Sequence, residues 1–238
     1  MVVLAQLVEH RIVVPSVVGS SPIIHPKSAS GFSGAFFCYL CTNAECMKKL
    51  VFIDACIRKE ESRTRRIAQP IVESLARKYE ITTLDLTEMP MAPLTPQTYA
   101  ERMSGNVPAW AVEAARKVAE ADRIVIAAPF WDMSFPAVVK TFFEHISLFD
   151  ITFTDNGRSC VGLCKCEKVM YITTRGMNIP TGDSREQATP YLHALSSLWD
   201  LGIILTVAAW NLDYSTPEEI GEKIESATRF GLRLAETF

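Results

Sequence analysis

RIVIAAPFWDMSFPAVVKTFFEHI, residues 123–146, decides the fold. It opens on a short, apolar, β-branched run with no polar alternation, as a strand buried on both faces should. The run ends at Pro129, and Ser134 and Pro136 have the character of residues that open a helix. Beyond them Val138, Phe142, Ile146 and Phe149 recur at three- or four-residue spacing, the period of a helix with one apolar face. The same alternation repeats on both sides. KLVFID (49–54), ITTLDL (81–86), KVMYITT (168–174) and GIILTVAAW (202–210) are short and apolar, and the helical stripe Ile67, Ile71, Leu75 lies between the first pair. Strands alternating with helices predict an α/β fold, a doubly wound five-stranded parallel sheet with helices on both faces. Pro70, inside the first helix, removes one backbone donor and predicts a kink there.

Before this region the pattern is different. Residues 1–46 hold no sustained period, and VGSSPIIHPKSASGFSG (18–34) is rich in turn formers. LVEHRIVVPSVVGSSP (7–22) resembles the frames that arise when a transfer-RNA gene is read as coding sequence. The expectation is a poorly structured extension with a misplaced start, and one domain over residues 47–238 that opens at MKKLVFIDA.

Composition narrows the function. With 238 residues and 48% hydrophobic content the chain can bury a full core. A formal charge of -3 leaves no basic excess for gripping nucleic acid. The opening run MVVLAQLVEHRIVV is broken by Glu9, His10 and Arg11, so no membrane span is expected. Seven cysteines, an odd number, fit reduced thiols in a cytoplasm better than a disulfide framework. Cys38 and Cys41 have C-x-x-C spacing and with Cys46, Cys160, Cys164 and Cys166 form a candidate zinc set. The second group lies far along the chain, however, where a zinc knuckle pairs its hooks at short range, and no metal is expected.

In an open parallel sheet ligands bind beyond the carboxyl ends of the strands. Three loops therefore matter. DACIRKEESRT (54–64) leads into a helix whose first amides seat an anion; Ser62 and Thr64 offer hydroxyls and Arg63 offers charge, although Ser62 is equally a helix cap. It carries no glycine, so neither a dinucleotide fingerprint nor a Walker A loop is present. APFWDMSFP (128–136) places Phe130 and Trp131 where they can wall a planar ring or plug the sheet. TTRGMNIPTGD (173–183) has Gly176 for close backbone approach and Arg175, which could stabilise negative charge or lie on the surface. A competing reading takes Cys56 and Arg63 as the nucleophile and phosphate ligand of a low-molecular-weight tyrosine phosphatase. The spacing is one residue too long for that family's loop, and no Asp-Pro follows to supply its acid.

Taken together, S-R-T, IVIAAPFWDMSFPAVVKTFFEHI, ITFTDNG, YITTRGM and TPYLHAL resemble the FMN-dependent NADH:quinone oxidoreductases and azoreductases of the flavodoxin-like superfamily, over residues 49–238. The resemblance implies an FMN enzyme that moves two electrons from NADH or NADPH to a small acceptor by ping-pong kinetics, working as a homodimer. It further implies that Cys56, Ser62, Arg63 and Thr64 meet the phosphate. Phe130, Trp131, Asp132 and Met133 then line the ring, and Thr174, Arg175, Gly176 and Met177 contact its pyrimidine side. The chain departs from the family pattern at Cys56, which replaces a better donor, at Asp132, where asparagine is usual, and at Met177, in place of a second glycine. No catalytic acid is identified, since His145 and His193 sit on helical stretches away from the loops. The alternative class is a flavodoxin-type carrier of single electrons. Its usual strong acidity is missing here, while Asp150–Lys168 adds a hairpin-like turn that could cover a pocket or a dimer seam.

Overall fold

The computed structural model describes residues 47–238. Five parallel strands form one sheet in the order β2-β1-β3-β6-β7: β1 (Lys48–Asp54), β2 (Tyr79–Asp85), β3 (Arg123–Ala127), β6 (Lys168–Thr174) and β7 (Ile203–Ala209). The expected sheet is therefore present. Its strands are in register across Leu50, Arg123, Lys168 and Ile203, so all carboxyl ends lie along one edge. A short antiparallel pair, β4 (Phe153–Asp155) and β5 (Cys160–Gly162), stands apart as the predicted hairpin.

Alternation along the strands builds two cores. Val51, Ile53, Ile124, Ile126, Val169 and Tyr171 face one side, against α3 (Ala109–Glu120), α4 (Ala137–Ile146) and α5 (Ala188–Trp199). Leu50, Phe52, Val125, Met170, Ile172 and Val207 face the other, against α1 (Arg63–Leu75) and α6 (Pro217–Glu236). Every residue of β3 is buried, which is why its sequence carries no polar alternation.

Met47–Thr95 and Val107–Phe238 make one compact unit that contains the sheet. Pro96–Asn106 clusters apart from it and by itself holds α2 (Pro96–Met103), a helix without a buried residue. The expectation for residues 1–46 lies outside the described residues, as do Cys38, Cys41 and Cys46.

Three local expectations are refined. Helix α1 runs through Pro70 without interruption, and the carbonyl deprived of its donor belongs to Arg66, an exposed residue that water can reach. Helix α4 ends at Ile146, so Phe149 falls beyond the helical stripe and packs edge-on against Phe153. The hairpin lies beside the end of α5. Gly162 lies so close to the end of α5 that a Cβ there would be 2.2 Å from the Asp200 amide nitrogen, and no hairpin residue borders the cleft described below.

Two glycines test this packing in opposite senses. At Gly202 a Cβ would stand 2.0 Å from the Glu167 carbonyl oxygen, a backbone atom, whereas at Gly221, inside α6, it would meet nothing within 4 Å. Gly202→Ala should therefore lower unfolding free energy by about 3 kcal/mol. Gly221→Ala should raise it by about 0.5–1 kcal/mol through helix propensity. Urea denaturation of both variants checks the pair.

Candidate functional site

Chain order reverses between β1 and β3, and the loops that leave the sheet beside that point converge. A cleft there is lined by Ile57, Arg58, Ser62 and Arg63 from the first loop, Pro129, Phe130 and Trp131 from the second, Thr174, Arg175 and Gly176 from the third, and Leu212 and Asp213 from a fourth loop after β7.

Its first wall is the amino end of α1. Ser62 is the cap, its hydroxyl accepting from the Arg65 amide at 3.3 Å, so the alternative reading of this residue holds in the structure while it also borders the cleft. Arg63 reaches across to Asp213, with 3.2 Å between Nη1 and Oδ1. Thr64 does not border the cleft. It is fully buried, and its hydroxyl is 2.6 Å from that of Thr174, joining the first and third loops beneath the floor. Cys56 is buried as well. Its thiol faces the Ala127 carbonyl at 3.7 Å, and burial pushes it up to about 12, with hydrogen bonding to Ser62 opposing the rise. A thiol this buried and this weakly acidic cannot be the exposed thiolate that a phosphatase needs.

The second wall is aromatic. Trp131 and Ser134 exchange backbone hydrogen bonds at 2.7 and 2.9 Å, closing a tight turn whose central residues, Asp132 and Met133, both adopt positive φ (47° and 68°). Such φ values suit glycine or asparagine, so this turn holds strain. It leaves Trp131, Asp132 and Met133 exposed while Phe130 is buried. Asp132 and Met133 themselves are not among the lining residues.

Arg175 organises the third wall from below. The sequence left open whether its guanidinium points inward to a ligand; it is fully buried and engaged with the loop. Nη1 donates to the Ile179 carbonyl at 2.9 Å, Nη2 donates to Thr181 Oγ1 at 3.1 Å and lies 3.9 Å from Glu186 Oε1, and the group stacks 5.5 Å from the centre of the Phe130 ring. Burial lowers its affinity for the proton, and the Glu186 charge works against that. Its guanidinium is thus committed to bracing the loop, while the residue also counts among those that line the cleft. The cleft meets the loop at Thr174, Arg175 and Gly176, with Met177 exposed beyond.

The fourth loop went unnoticed in the sequence, because NLDY (211–214) has the look of an ordinary turn. Backbone hydrogen bonds sew it to the third: Asn211 N to Met177 O at 2.9 Å, Leu212 N to Arg175 O at 3.2 Å and Asp213 N to Gly176 O at 3.0 Å. A Cβ on Gly176 would fall 1.8 Å from the Asp213 carboxylate, so this glycine leaves room for the Asp213 side chain where it lies.

Among the described residues no group of His, Cys, Asp and Glu is arranged to hold a metal, and no helix is long and apolar enough to cross a membrane. Cys164 and Cys166 are buried and burial pushes both thiols up to about 12, whereas Cys160 is exposed. At pH 8, Cys160→Ser should therefore remove one rapidly reacting thiol from the native protein, and Cys56→Ser none, in a thiol-reagent titration. The buried thiols also fix an alkaline limit. Cys56, Cys164 and Cys166 keep their protons to about 12 when folded, against an ordinary value of 9.0, so the unfolded chain releases them first. Their contribution is fully present below about pH 9 and is lost as pH rises toward 12. The urea midpoint should fall across that window.

Known proteins agree with this architecture. The profile of the family described as Flavodoxin-like fold matches residues 48–229. FMN-dependent NADH:quinone oxidoreductase 2 of Clostridium acetobutylicum is 31% identical over 192 residues, 77% of this chain and 94% of the relative. FMN-dependent NADH:quinone oxidoreductase of Clostridium perfringens is 30% identical over 204 residues, 81% of this chain and 100% of the relative. Among solved structures, an azoreductase from Bacillus anthracis superposes with a TM-score of 0.70 at 20% identity, covering 81% of this chain and 100% of that one, and so shares the fold. By its sheet order, its profile and its curated relatives, this chain belongs to the flavodoxin-like family that includes the FMN-dependent NADH:quinone oxidoreductases.

Proposed function

We propose that this protein binds FMN in the cleft and uses it to carry two electrons from NADH to a small acceptor of the quinone or azo class, donor and acceptor occupying the cleft in turn. The observation that carries this reading is the two-ended chemistry of one cleft. At one end Arg58, Ser62 and Arg63 surround the amino terminus of α1, where unpaired amides and the helix dipole favour a phosphate. At the other, the aromatic side chains of Phe130 and Trp131 line the cleft, and such side chains suit a planar heterocycle. A phosphorylated, flat aromatic cofactor needs both. The names of the curated relatives supply the same cofactor and donor.

In this assignment Ser62 and Arg63 hold the phosphate, Phe130 and Trp131 flank the ring, and the backbone of Thr174 and Gly176 meets its pyrimidine edge. Cys56 and Thr64 serve from beneath, fixing the floor rather than touching the cofactor. Asp132 and Met133 contribute the strained turn that displays Trp131, and Met177 forms part of the rim. Arg175 acts through the loop it braces. When bound, FMN supplies the site that accepts hydride and returns two electrons; the chain supplies orientation, charge complementarity and a wall against competing water. Ile57, Trp131, Met133, Met177 and Tyr214 leave apolar surface exposed, and covering it fits a homodimer. A single-electron carrier would need a docking surface for protein partners, which a formal charge of -3 does not favour.

Titration with FMN and with riboflavin tests the two ends separately. Arg63→Gln should raise the FMN dissociation constant about 10- to 100-fold, the worth of a hydrogen bond to a charged group, and leave riboflavin unchanged. Trp131→Ala should weaken both ligands, by about fivefold if ring stacking contributes ~1 kcal/mol. Under anaerobic conditions NADH should bleach the bound flavin and a small quinone restore its colour, with parallel double-reciprocal lines in steady state. Bleaching only by a reductase protein would identify a carrier instead.

A further inference from the structure

Arg63 and Asp213 come from opposite walls and close over the cleft between them. Both line it, 3.2 Å separates Nη1 from Oδ1, and the two residues are 150 positions apart in the chain. The pair is exposed, with side-chain accessibilities of 38% and 64%. An exposed ion pair is ordinarily worth little and forms where flexible side chains happen to meet. Here one partner is not free to wander. Asp213 is held by its own amide to the Gly176 carbonyl at 3.0 Å, and the residue before it is tied to Arg175, whose side chain is fully buried. Its carboxylate lies against Gly176 in space that any side chain at 176 would occupy. Arg58, the second exposed arginine of the lining, is paired differently: its partner Glu61 comes from the same turn and does not border the cleft. Asp213 is thus a built-in anion, delivered by the fourth loop to the cation of the first.

The geometry points to Asp213 as a specificity-determining residue, an internal competitor that occupies Arg63 until a phosphate of higher charge displaces it. The inference rests on the assignment of the phosphate end to Ser62 and Arg63. A monoanion gains little by replacing one carboxylate with another, since the charge at Arg63 is unchanged. A phosphate monoester near neutral pH carries between one and two negative charges and three acceptor oxygens, so it can take the guanidinium while the carboxylate swings toward water. Asp213 therefore lowers the affinity of every anion that uses Arg63 by a common factor, the cost of opening the pair, and only an anion whose own gain at Arg63 exceeds that cost binds well there. Neutral ligands held only by the aromatic wall do not sense it.

Asp213→Asn is the discriminating variant, because it keeps the size and the contact with Gly176 while removing the charge. Dissociation constants for FMN and riboflavin are read from quenching of flavin fluorescence at low ionic strength. The expected result is that FMN binds about two- to fivefold more tightly, the strength of an exposed ion pair, with riboflavin unchanged. Inorganic phosphate should become a correspondingly better competitor of FMN. In an Arg63→Gln background the same substitution should have no effect on FMN beyond twofold. If Asp213→Asn leaves the preference of FMN over riboflavin as it was, or weakens FMN, the competitor role is wrong and the phosphate assignment stands. If the parent protein shows no preference for FMN, or Arg63→Gln does not alter it, the phosphate assignment itself fails and the inference falls with it.

Discussion

Burying the guanidinium of Arg175 is the constraint from which the rest of the site follows. A buried charge left without partners is strongly unfavourable, and breaking such a pair typically costs about 3–5 kcal/mol. The chain answers by wrapping its third loop around the group: Ile179 and Thr181 accept its hydrogen bonds and Glu186 stands opposite. Glu186 in turn accepts from the amides of Ala188 and Thr189, each at 2.9 Å, so the residue that balances Arg175 also starts α5. The amide next to Glu186, that of Gln187, then reaches the Met133 carbonyl in the second loop. One buried cation thereby sets the course of the third loop, the origin of a helix and the spacing between the aromatic wall and its neighbour.

The strand-end loops were legible in the sequence because buried parallel strands leave an unmistakable apolar signature and the loops are whatever interrupts it. What lay inside each loop was less so. Its place beside Ser62 and Arg63 suggests Thr64 as a phosphate ligand, while the stripe Ile67, Ile71, Leu75, extended one turn back, puts it on the buried face of α1. The period accounts for its burial, which the motif alone does not reveal. Arg175 could not be resolved in this way, since a residue number does not say whether a long side chain turns toward a ligand or toward its own loop. Asp213 was missed for another reason. An aspartate just after a strand is what a turn ordinarily contains, and its partner Arg63 is too distant in sequence for any local pattern to connect them.

Strain is concentrated where the chemistry is proposed to occur. Asp132 and Met133 both sit in the left-handed region, and neither is a glycine. Each costs roughly 1–2 kcal/mol in this conformation, and the surrounding bonds between Trp131 and Ser134 hold them there. A relaxed turn would give a more stable loop and a differently aimed indole. The domain keeps the less stable option beside Trp131, an exposed aromatic side chain that lines the cleft.

The cleft is assembled by loops from four strands, and β7, at the sheet edge, is the last of them in the chain. During synthesis the aromatic wall and the amino end of α1 are made long before Asp213 leaves the ribosome. A partly completed chain therefore already carries the aromatic residues and the cation of the cleft, without the carboxylate that we propose as the cation's competitor. In chain order, the residue proposed to compete for Arg63 is the last of the cleft's lining to be added.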